Sequence, residues 1–222
     1  MLSTFNFRVI TDYLPLFLQG LRATLWISAM AMSGAFMIGV PACICRLSRV
    51  RLLSAPAAAY IDVVRSTPLL VQLYFFYFGL PSLGLRLTEQ HIGIMVLSLN
   101  SGAYIAEIIR AGILSVHPGQ VDASIACGLN LFQRMRYIIL PQAIGETIPP
   151  LLGQAVVLVK DSALLSLISV FELTRAGQIM ASERFMPAEG FFTTAACYLL
   201  LYYILKSFSG WWRHRLAAQK AL

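Results

Sequence analysis

The chain has 222 residues, of which 58% are hydrophobic and only 12% are charged. Soluble domains carry roughly a quarter charged residues, so this composition excludes a soluble globular protein and indicates an integral membrane protein. The net charge of +7 sits in short loop clusters, a pattern of membrane topology and not of nucleic-acid binding.

Residues 1–20 are mixed, and Phe5, Phe7, Tyr13 and Leu16 to Leu18 read as an interfacial helix ahead of the first span. Arg8 and Asp12 precede an apolar run too long for a signal-peptide core, so no cleaved leader is expected. The charge-free run 23–45 is long enough to cross a hydrocarbon core. Gly34 and Gly39 within it offer small faces to a neighbouring helix. Arg46, Arg49 and Arg51 follow and mark a cytoplasmic loop, which puts the N-terminus outside.

The second span is expected over 57–80. Asp62 and Arg65 are spaced to pair on one helix face. Arg65 reads either as a snorkelling anchor or as a subunit-interface residue. Pro68 removes a backbone hydrogen bond and is the expected site of a kink. After an outer loop at 81–90, the third span covers 91–109 and carries Asn100, Ser101 and Tyr104 mid-helix. Glu107 and Arg110 have pairing spacing again and read as a structural pair near the cytoplasmic end.

Residues 117–142 form a polar island in a greasy chain. Pro118 suits the first turn of a helix, where its missing N–H costs nothing. Residues 120–127 read as one short helix, with Gly128 as its left-handed C′ residue. Asn130 and Gln133 have the spacing of a capping box that opens a second helix. Pro141 ends or kinks that second helix. The expected product is a helix–Gly turn–helix knob that projects from the membrane and docks into something.

The fourth span is expected over 151–170, after Pro149 and Pro150, with Lys160 and Asp161 at its middle. Each charge at a bilayer centre costs about 2.5–3.5 kcal/mol on insertion scales. Neighbouring helical positions point about 100° apart, so the two need not pair with each other. Both are expected to face protein or a water-filled path. Residues 179–189 read as an outer loop, either a contact for an outer protein or a solvated connector. The fifth span covers 191–208, and Lys206, Trp211, Trp212, Arg213, His214 and Arg215 form an aromatic, basic cytoplasmic anchor.

Five spans leave the N-terminus outside and the C-terminus cytoplasmic. The loop cations agree: Arg46, Arg49, Arg51, Arg134, Arg136, Arg213, Arg215 and Lys220 fall inside, against Arg8, Arg86, Arg175 and Arg184 outside. Cys43, Cys45, Cys127 and Cys197 form no Cys-x-x-Cys pair and read as packing residues, not as a metal or redox site. There is no phosphate-binding G-x-x-x-x-G-K-[S/T] loop. No catalytic residue, metal or cofactor is assigned.

Asp122-Ala123-Ser124, Gly128, Ile138, Leu140 and Pro141 resemble the EAA loop, E-A-A-x3-G-x9-I-x-L-P, of binding-protein-dependent ABC importer permeases. Asp122 stands for the usual Glu, and Ser124 for the second Ala. The blocks RSTPLLVQ (65–72), AYIAE (103–107), KDSALLS (160–166) and ELTRAGQ (172–178) resemble the polar amino acid branch of that family. The resemblance implies an all-α integral membrane protein of about five spans, the type I ABC importer permease fold, over residues 1–222 as one domain. It implies that the 117–142 loop is the cytoplasmic coupling element for an ATPase subunit. Lys160, Asp161 and Ser162, with Asn100 and Tyr104, become candidates for the substrate path. A buried structural network joining two helices is the other reading of Lys160 and Asp161.

The function implied is import of polar amino acids, or analogues such as opines, across a bacterial inner membrane. ATP would be bound by two partner ATPase copies, and an outer solute-binding protein would deliver the substrate. Five helices are too few to enclose a path, so a second permease copy or a paralogue is expected alongside membrane lipid, with no role for nucleic acid. An ATP-independent channel or secondary carrier would leave the knob without a task. A membrane scaffold would not account for charges inside span four.

Overall fold

The computed structural model describes residues 6–220. The Phe5 part of the interfacial reading lies outside them, and so do the side chains of the expected Trp211–Arg215 anchor, although its backbone is helical.

Helix α1 is Phe7–Leu47, 41 residues and about 62 Å long at 1.5 Å per residue. The expected interfacial helix is therefore not separate: it is continuous with span one. Phe17 buries against protein, packing with Leu173, Ala176 and Met180, while Phe7 and Leu18 stay exposed. A helix twice the length of a span is stable because its outer half has this second partner.

Helix α4, Glu89–Leu114, makes the most extensive contact with α1. The approach is close because glycines line it. A Cβ on Gly34 would stand 2.5 Å from Ser98 Oγ, and one on Gly39 would stand 2.7 Å from Gly102 O. Ser98 Oγ also donates to Ala31 O at 3.1 Å across the two helices. The small faces expected at Gly34 and Gly39 thus meet backbone and hydroxyl of α4.

Span two departs from expectation. It comprises α2, Arg51–Ser66, and α3, Leu69–Ser82, which bend by 107° at Thr67–Pro68. Pro68 does more than kink the helix. The residue before a proline is pushed out of the α region, and Thr67 is extended at φ −111°, ψ 139°. Asp62 and Arg65 form no ion pair: Arg65 Nη1 lies 3.7 Å from Glu107 Oε2 on α4, and Asp62 is exposed.

The 117–142 island folds largely as expected. Helix α5 is Pro118–Ala126, and Gly128 follows at φ +76°. Gly128 N–H donates to Ile125 O at 2.9 Å and Leu129 N–H to Ser124 O at 3.1 Å, the Schellman pattern. Asn130 and Gln133 form a reciprocal capping box at the start of α6, Leu131–Arg134. Of the two outcomes expected at Pro141, the helix end does not occur. A π turn, Met135–Ile139, carries the chain into α7, Leu140–Asp161. The widened turn just ahead of Pro141 makes room for its ring and its missing donor.

Pro149 and Pro150 lie inside α7 and do not start it. Lys160 and Asp161 are its last residues, not the middle of a straight helix. Beyond them the chain tightens into a 3-10 helix, Ser162–Ile168. Ser162 Oγ and Ser166 Oγ each donate at 2.8 Å to a carbonyl three residues back, a local bond that competes with the α pattern. The segment closes on Ser169 at φ +66°.

The outer loop expected at 179–189 is mostly helical. Helix α8 is Leu173–Arg184, and α9, Pro187–Lys220, starts after a two-residue turn. The N-cap of α8 is Glu172, 0% exposed. Its carboxylate accepts from Thr174 N–H at 2.8 Å, Arg175 N–H at 2.7 Å and Tyr198 O–H at 2.8 Å. Leu173 N–H donates to Thr24 Oγ1 at 3.1 Å, tying α8 to α1. Among the described residues four helices are long and apolar enough to cross a membrane, and five if the bent α2–α3 pair counts as one span. No strand occurs among them.

Candidate functional site

Two places collect polar groups that a lipid-facing bundle would avoid. One is a cleft inside the helices; the other is the α5–α6 knob.

The cleft has a volume of about 440 Å³ and lies between the α2–α3 elbow, α4 and α7. Arg65, Asn100, Tyr104, Gln154 and Asp161 line it. The bend places Arg65 there: its guanidinium lies 5.3 Å from the centroid of the Tyr104 ring, over its face. Asn100 is 6% exposed and Gln154 8%. Gln154 Nε2 donates to Ser101 Oγ at 3.3 Å. A buried amide held this way is oriented by its partner and keeps part of its bonding capacity for a guest.

Of the five residues carried as path candidates, Asp161, Asn100 and Tyr104 meet at this cleft. Lys160 does not line it and is exposed on the surface of the subunit. The 100° step between adjacent helical positions separates it from Asp161. Ser162 is fully buried and donates to Val159 O. Gln154 is a functional candidate that the sequence reading misses, since the nearby charges are the stronger signal. The available clue is an amide within an apolar run.

Glu107 and Arg110 pair as their spacing predicts. Arg110 Nε and Nη2 each donate at 2.8 Å to separate Glu107 oxygens, a bidentate geometry. Arg65 joins the same carboxylate at 3.7 Å without a hydrogen bond.

In the knob, Ala123, Ser124 and Ile138 line a groove of about 470 Å³ with His117, Gln120 and Cys127. Gln142 Nε2 donates to Gln120 Oε1 at 2.8 Å and to Ile138 O at 2.9 Å, bracing the two halves. Asp122 is exposed and makes no ion pair among the described residues. Leu140 and Pro141 begin α7 behind the knob. Ile125, Leu131 and Phe132 stand out from it, Phe132 at 73% exposure. Exposed apolar side chains on a capped, braced helical turn are suited to a protein partner.

A bundle of apolar helices with a polar interior cleft and a projecting helical knob defines a membrane permease. The chain belongs to the family described as the binding-protein-dependent transport system inner membrane component, whose model matches residues 34–217. It is 37% identical over 203 residues to the glutamine transport system permease protein GlnP of Escherichia coli (strain K12), covering 90% of this chain and 93% of that one. It is 31% identical over 220 residues to the nopaline transport system permease protein NocM of Agrobacterium fabrum, covering 93% and 91%. A crystal structure of an amino acid ABC transporter with histidines superposes with a TM-score of 0.93 at 35% identity, over 96% of this chain and 99% of that one. Inward-facing structures of the MetNI methionine ABC transporter share the fold at a TM-score of 0.74 and 20% identity.

Proposed function

We propose that this permease moves polar amino acids, or close analogues such as opines, inward. The observation that carries the reading is the cleft, where the Arg65 cation and the Asp161 carboxylate line one cavity of about 440 Å³. A free amino acid presents a carboxylate and an ammonium together, and a site with one group of each sign suits both. Relatives named for glutamine and nopaline transport support the same substrate class.

The chain is the translocating subunit, and ATP hydrolysis belongs to two copies of a partner ATPase. The knob, with Asp122, Gly128 and the exposed Phe132, is the docking element for that partner on the cytoplasmic side. A second permease copy or a paralogue completes the path, and an outer solute-binding protein delivers the substrate. The N-terminus lies outside and the C-terminus inside, in the inner membrane. Closure of the ATPase pair moves the two knobs together and tips the permeases as rigid bodies from inward-open to outward-open. Competition by unlabelled amino acids against labelled uptake in proteoliposomes tests the substrate class. Competition confined to polar zwitterions supports it, and competition by sugars or peptides overturns it.

A further inference from the structure

We infer that Gln72 is a positioning residue: it clasps the α2–α3 elbow and links it to the wall of the cleft, so that the elbow moves with the cleft during transport. The inference rests on the importer reading above.

A helix broken by 107° inside a membrane leaves backbone carbonyls without helical donors, and lipid supplies none. Here two side chains, Gln72 and Thr67, serve them. Gln72 Nε2 donates to Val64 O at 2.7 Å and to Thr67 O at 3.0 Å, and lies 2.7 Å from Thr67 Oγ1. Thr67 Oγ1 in turn donates to Val63 O at 2.9 Å. The amide thus satisfies carbonyls from the preceding helix while being rooted in the next. It holds both sides of the break.

The other end of the amide faces the cleft wall. Asn100 Nδ2 donates to Gln72 Oε1 at 3.2 Å, and Asn100 lines the cleft with Asp161 and Arg65. Tyr60 O–H donates to Leu99 O at 2.6 Å one residue away on α4, so α2 is held to the same stretch. A guest that engages Asn100 changes what Gln72 accepts, and Gln72 is the only described side chain whose bonds join Asn100 to the elbow carbonyls. Pro68 makes the break permanent by lacking the donor that would restore a helical bond; Gln72 sets its angle.

The test uses the assembled complex in liposomes and compares wild type with Gln72→Leu. The readout is substrate taken up per ATP hydrolysed. Gln72→Leu is expected to assemble in wild-type amount, to hydrolyse ATP within about twofold of wild type and to lose about tenfold in uptake per ATP, the effect of losing the bonds that join the elbow to Asn100. If Gln72→Leu does not assemble, Thr67→Val, which removes only the hydroxyl link, is read by the same ratio and is expected to lower it about threefold. An unchanged ratio in the variant that assembles, or a loss of uptake proportional to lost hydrolysis, overturns the inference. Failure of the wild-type complex to require ATP would overturn the importer reading instead, so the two failures are distinct.

Discussion

Arg65 reaches Glu107, 42 positions along the chain and on another helix, at 3.7 Å, while Asp62, its neighbour one turn back, stays exposed. The 107° elbow turns the end of α2 toward α4 and the cleft. Glu107 therefore holds two arginines, the bidentate Arg110 and the looser Arg65. Their side chains are 31% and 42% exposed, which screens both pairs. Removing Arg110 is expected to cost about 1–2 kcal/mol and removing Arg65 about 0.5 kcal/mol or less. Thermal unfolding of Arg110→Ala and Arg65→Ala in one detergent ranks them, and Glu107→Gln is expected to fall below both.

Gly128 sits at φ +76° with nothing within 4 Å of where a Cβ would be. A side chain there has room but strains the backbone by about 1–2 kcal/mol. Gly128→Val is expected to leave the permease inserted in the membrane and to weaken retention of the ATPase severalfold. Pull-down of the ATPase with wild type and variant at equal permease load measures it.

Asp161 lines the cleft and Lys160 does not. Asp161→Asn is expected to lower uptake about tenfold or more while the outer binding protein keeps its affinity for substrate, because a charged group is removed from the cleft. Lys160→Ala is expected to lower it less. Initial uptake rates at saturating binding protein separate the two.

At Gly39 an added Cβ would meet Gly102 O at 2.7 Å and Ile105 at 2.9 Å. Gly39→Leu forces α1 and α4 apart and is expected to cost about 3 kcal/mol or more. Expression level and melting temperature in detergent give the outcome. A variant that melts like wild type would contradict the close packing.

The fold is legible in the sequence where a bonding partner lies within a few residues. The Gly128 turn, the Asn130–Gln133 capping box and the Glu107–Arg110 pair form between residues a few positions apart, as their spacing predicts, although the same spacing gives Asp62 and Arg65 no pair because the elbow turns Arg65 toward Glu107. The glycine faces at Gly34 and Gly39 are legible too. What stays hidden depends on distant contacts. Nothing near Arg65 names Glu107, and hydropathy sees 57–80 as one run although Thr67–Pro68 turns it sharply. The second half of helix α8, from residue 179 on, reads as a loop because it is polar. The helix is fixed by its own N-cap Glu172 and by Thr24 and Phe17 of the distant α1. At the cleft, Asn100, Tyr104 and Asp161 are nameable singly, but their meeting with Arg65 and Gln154 depends on the elbow.

The most direct test of the account is labelled amino acid uptake into liposomes that hold this permease with its ATPase, with and without ATP and the outer binding protein. The account predicts accumulation only when ATP and the binding protein are both present. Equal uptake without ATP would contradict it and would point to a carrier or channel in which the knob couples nothing.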